Sequence, residues 1–105
     1  MFFKEKGKKQ SISAGPARLL VSDILNQTGN RLVFVCDVRE GRVTGGETLL
    51  YKPQYGTVTD AKVVKLEAML MDLDTAMEGS LVTVTLEGLF DNQVPTVGDT
   101  LIREA

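Results

Sequence analysis

From Ala17 onward every apolar run is short and closed by a turn residue, and few folds accommodate that rhythm. "RLLVSDIL" (18–25) is followed by "QTGN" (27–30), whose Gly and Asn tolerate positive φ. "RLVFVCDV" (31–38) is rich in β-branched and aromatic residues and reads as a well-buried strand. "TLLYK" (48–52), "AKVVKLEAMLM" (61–71), "SLVTVTLEGL" (80–89) and "DTLIR" (99–103) complete six strands, with a loop at 52–60 broken by Pro53 and Gly56. Short strands at this spacing predict an all-β barrel or sandwich. The one helical candidate is "LDTAMEG" (73–79), one or two turns ending at Gly79.

Alternation assigns faces. Val64, Leu66, Ala68 and Leu70 form the expected core face of 61–71, with Lys65, Glu67, Met69 and Met71 opposite. Val82, Val84 and Leu86 point inward from 80–87. Cys36 shares a face with Leu32, Phe34 and Val38, and is expected to be a buried small hydrophobe.

Three glycines, Gly41, Gly45 and Gly46, fall between two of these runs. A phosphate-cradling loop would continue into a helix, with a Lys-Ser/Thr pair in the P-loop case. Here a β-run follows and no such pair is present, so the glycines are expected to turn the chain.

At 105 residues the chain is expected to form one barrel domain over 17–105, preceded by a flexible basic tail, 1–16. The tail carries Lys4, Lys6, Lys8 and Lys9 against Glu5, while the rest holds eight basic and thirteen acidic side chains. An acidic body attracts phosphate backbones poorly, so a general pull toward an anionic partner would come from the tail. No apolar run reaches the roughly 20 residues of a membrane-spanning helix. A single Cys forms no internal disulfide, and a reducing cytoplasm is the expected location. The chain has no His, its one Cys lacks an activating partner, and no nucleophile–base spacing is recognisable. A non-catalytic protein without a cofactor is therefore expected. Asp72, Asp74 and Glu78 are a conceivable ion site, but Asp in a turn is common for local hydrogen-bonding reasons.

"LLVSDILNQTGNRLVFVCDVREGRVTGGETLLY" resembles the opening of the second domain of elongation factor Tu and related translation GTPases. Asp23-Ile24, Gly29, Val38, Gly41 and Gly46-Glu47 fall at that family's spacing. "KLEAMLMDLDTAMEGSLVTVTLEGL" (65–89) and "VPTVGDTL" (94–101) are similar to its later strands and its closing signature. The resemblance implies a small closed antiparallel Greek-key barrel of six or seven strands. Nothing in the chain resembles the GTPase domain, so the expectation is a stand-alone barrel of this type.

In elongation factor Tu this barrel contributes to the pocket for the aminoacylated 3′ end of tRNA, through a strand Glu that Glu67 matches. The family's Phe corresponds to Leu25, its turn Arg to Asn30 with Arg31 adjacent, and its Arg-Lys pair to Leu70 and Met71. The acidic member is kept while the aromatic and most basic members are replaced, which removes counterion release and oriented hydrogen bonds. The candidate contacts for a protein partner or RNA are thus Leu25, Arg31, Glu67, Met69 and Met71, with Lys4, Lys6, Lys8 and Lys9 as tail contacts. Met69 and Met71 on an outward face suit adaptable protein contacts, unless the 52–60 loop or the tail covers them. The expected function is a binding module contacting a protein, or alternatively an RNA- or ribosome-associated factor. A flavin or nucleotide site lacks its Arg-x-Tyr-Ser-type and Gly-rich motifs.

Overall fold

The structure, a computed structural model, describes residues 15–26, 31–88 and 95–104. The tail lysines Lys4, Lys6, Lys8 and Lys9 and the 27–30 turn lie outside these residues. Nine strands are described: β1 (Ala17–Asn26), β2 (Leu32–Glu40), β3 (Arg42–Thr44), β4 (Thr48–Lys52), β5 (Thr59–Ala68), β6 (Met71–Leu73), β7 (Thr75–Met77), β8 (Leu81–Glu87) and β9 (Thr100–Arg103). Six of them close an antiparallel Greek-key barrel in the order β4-β9-β1-β2-β8-β5, and β5 pairs again with β4. β6 extends the sheet from β5, while β3 and β7 form a separate two-stranded ribbon.

The inward faces fill the barrel. Leu32, Phe34, Cys36 and Val38 alternate inward from β2, and Val82, Val84 and Leu86 from β8, as their patterns predict. Cross-strand pairs Phe34–Val84 and Cys36–Val82 put these side chains side by side. Phe34 and Tyr51 meet at 6.0 Å between ring centroids, tilted by 51°, an edge-inclined geometry favoured by the ring quadrupoles. Each large side chain buried here contributes roughly 1.5–3 kcal/mol relative to exposure.

Three expectations need correction. The predicted helix at 73–79 is instead β6 and β7, and no helix occurs among the described residues. Packing overrides the weak helical signal: Ala76 is buried opposite Val43 of β3, and Gly79, at φ +91°, turns the chain after β7. Arg42–Thr44, read as a connection, is β3, with Val43 wholly buried.

The strand expected at 61–71 starts two residues earlier and ends at Ala68. Its pairing with β8 shifts between Val63 and Lys65, a β-bulge. The extra residue swaps which parity faces inward. Ala61 and Val63 are therefore buried before the bulge and Leu66 after it, while Val64 is only half-buried. Leu70, expected on the core face, is outside altogether at 98% exposed.

The glycines between β2 and β4 turn the chain. Gly41 and Gly46 have φ of +70° and +92°. A Cβ on Gly41 would stand 2.2 Å from the Pro16 carbonyl oxygen. Gly45 and Gly46 spend their N–H groups on the Asp74 and Val63 carbonyls, at 2.9 and 2.7 Å.

Candidate interaction surface

Both family-like signatures are absorbed by the barrel's own bonding. Glu47, after the Gly-Gly pair, accepts from the Thr44 N–H at 3.0 Å and pairs with the Arg103 guanidinium. Arg103 also donates to the carbonyls of Gly15 (2.8 Å) and Arg42 (3.0 Å). One planar fork thus ties Gly15, β3 and β9 together. Asp99, in the closing Gly-Asp, is 1% exposed and accepts from the Tyr51 hydroxyl, the Gln54 N–H (2.9 Å) and the Thr96 N–H (2.8 Å). A buried carboxylate needs such donors. Burial, then the bond to Asp99 and its charge, hold the Tyr51 phenol above its ordinary range. Burial alone pushes the Cys36 thiol from 9.0 up to about 12, so at neutral pH it is no nucleophile. Glu78 is engaged by the Gly41 N–H at 3.1 Å, and no three ligand-type side chains gather around an ion site among the described residues.

The sequence-derived contact residues separate in space. Glu67 lies on β5 opposite Thr83 of β8, while Arg31 sits at the far end of that strand, 3.3 Å from Glu87. Four residues of strand separate Thr83 from Glu87, about 13 Å. Leu25, 57% exposed, is near the end of β1 on the Arg31 side, since neighbouring Asn26 pairs with Val33. Glu67, Met69 and Met71, by contrast, come together on the β5–β6 hairpin.

That hairpin has unusual chemistry. Ala68 pairs with Met71, so Met69 and Leu70 alone make the turn. Their φ values are +53° and +67°, the only positive ones on non-glycine residues among those described. Two positive central φ angles define the type I′ pattern, normally the province of Asn-Gly. A side chain in this region costs roughly 1–2 kcal/mol per residue. The turn is nonetheless built from two large apolar residues. Met69 is 94% exposed and Leu70 98%, followed by Met71 at 69%. Neither the 52–60 loop nor any other described residue covers them.

Charges line the hairpin below this tip. Glu67 and Asp72 stand directly opposite across the ladder, a destabilising juxtaposition of like charges. Lys65 Nζ lies between them, 3.6 Å from Glu67 and 3.7 Å from Asp72. Asp72 and Asp74 also line an open groove of about 570 Å³ beside the hairpin, with Thr44, Val64 and Leu73. In the sequence, Leu70 reads as core-facing, and Asp72 and Asp74 only as a conceivable ion site in a turn, not as the flank of an exposed tip. The local signal was silent, because Met-Leu is not a recognised hairpin dipeptide.

No protein-family model and no curated protein sequence matches the chain. Solved structures do. It superposes on translation elongation factor SelB from Methanococcus maripaludis in its apo form with a TM-score of 0.72 and 18% identity. That match covers 87% of this chain and 19% of the elongation factor. The same factor in complex with the GTP analogue GppNHp gives 0.72 and 17%, over 90% of this chain and 20% of that one. The chain thus has the fold of a translation-factor barrel and spans about a fifth of the proteins it matches.

Proposed function

We propose that this chain is a non-catalytic binding module on a translation-factor barrel, and that it contacts a protein partner through the β5–β6 hairpin in a reducing compartment. The observation carrying this reading is the run Met69–Leu70–Met71, exposed at a turn where nothing in the barrel's packing asks for apolar side chains. Contiguous exposed apolar surface favours interaction sites, and methionine adapts to an irregular partner. The rest of the molecule supports a scaffold role, because Asp99, Tyr51, Cys36, Glu47 and Arg103 are all committed to its interior.

The alternative is a ribosome- or RNA-associated factor, favoured by the likeness in fold to an elongation factor. Charge weighs against it at the hairpin. Leu70 and Met71 stand where the resemblance calls for Arg-Lys, and Arg31 is engaged with Glu87.

Recovery of partners from native lysate, with and without nuclease and at two salt concentrations, tests the choice. The protein-binding reading expects a defined protein that survives both treatments and is lost with Met71→Glu. Recovery of RNA that vanishes with nuclease and moderate salt would replace it with the alternative.

A further inference from the structure

We infer that the Met69–Leu70 turn is a wedge that enters an apolar pocket of a protein partner whose rim carries Lys or Arg side chains. This rests on the protein-binding reading above and specifies its partner chemistry. Two independent observations carry it.

The first is conformational. Both residues occupy left-handed backbone, where glycine or asparagine would sit without strain. The tight turn also aims both side chains away from the barrel, leaving them almost wholly exposed. A two-residue turn presents a blunt, preorganised tip, and a rigid tip loses little freedom on docking. Strain held at an exposed site points to a use for that site.

The second observation is electrostatic. The flanks behind the tip hold Glu67, Asp72 and Asp74 against Lys65 alone. A phosphate backbone or an anionic lipid surface meeting this tip would face net negative charge. A basic rim would instead pair with Asp72 and Asp74, which line the adjoining groove.

Photo-crosslinking of the full chain tests the inference, with benzoyl-phenylalanine replacing Leu70 and, separately, Leu25 as a distant exposed control. The wedge predicts that position 70 crosslinks to one protein in native lysate, on a peptide whose apolar residues are flanked by Lys or Arg. It predicts a drop of at least about tenfold when Asp72→Lys and Asp74→Lys are added, as expected for losing two close charge pairs. Purified Met69→Asn/Leu70→Gly, relieved of strain, should unfold about 4–8 °C higher and fail to compete for the crosslink.

Crosslinking from Leu25 but not from position 70 would overturn the wedge while leaving a protein-binding module. Undiminished crosslinking by the Asp72→Lys/Asp74→Lys chain would overturn the basic rim. Crosslinks to RNA alone, or to no protein from either position, would overturn both the inference and the reading beneath it. A lower unfolding temperature for the Asn-Gly variant would remove the conformational argument.

Discussion

Gly41 turns the chain at φ +70° with the Pro16 carbonyl oxygen in the place of its missing Cβ. Gly41→Ala therefore meets both backbone strain and a collision with main chain. We expect it to lower stability in urea by at least about 2 kcal/mol, whereas Gly46→Ala, with open space around its Cβ, pays the strain alone. A second expectation concerns alkaline pH. The Cys36 thiol ionises near 9.0 when unfolded and only at about 12 when folded. The unfolded chain releases its proton first, so stability is full below pH 9 and falls as pH rises through the interval to 12. The slope approaches about 1.4 kcal/mol per pH unit. Tyr51, also held above its ordinary value, adds to the loss above pH 10. Cys36→Ala should flatten the first part of this profile in urea titrations taken between pH 8 and 12, and an unchanged profile would show that the thiol opens to solvent before global unfolding.

The elements divide by length into those the sequence announces and those it conceals. All six barrel strands fall on apolar runs, since a buried face repeated over four or more residues leaves a visible period. β3, β6 and β7 have three residues each, too few to show one, and their identity comes from pairing: Val43 with Ala76, Leu66 with Leu73. The bulge at Val64 is equally silent, because an extra residue in a ladder has no compositional mark. It misled the assignment of Val64, whereas Leu70 leaves the core face because the strand ends at Ala68 and the turn takes it. The outward company of Glu67, Met69 and Met71 was legible. That bulge also sets β5's register, which yields a further test. Deleting Val64 should remove it and leave Ala61, Val63 and Leu66 in unbroken alternation on the core face, with their β8 partners unchanged. We expect both this deletion and Val64→Thr to unfold cooperatively on heating, and loss of cooperativity in the deletion alone would show that closure of the barrel needs the bend of the bulge.

At the scale of the whole molecule, closure depends on contacts far apart in sequence. β9 lies between β1 and β4, and the Arg103 guanidinium joins Glu47 and the carbonyls of Gly15 and Arg42. Both side chains are largely buried, so Arg103→Ala strands a carboxylate, and we expect a cost of about 3–5 kcal/mol in urea unfolding. Arg103→Lys should recover only part of it, since one ammonium lacks the fork that spans these partners. Fold likeness over almost the whole chain, at 17–18% identity, shows that the same barrel forms from widely different sequences. Closure also has a practical side. Cys36 sits mid-strand on β2 between Val21 and Val82, walled in by neighbours on both sides, and it is the chain's one thiol. A thiol-reactive dye can reach it only when the ring of strands parts, so the pace of labelling in the native protein is a stopwatch for spontaneous opening of the barrel.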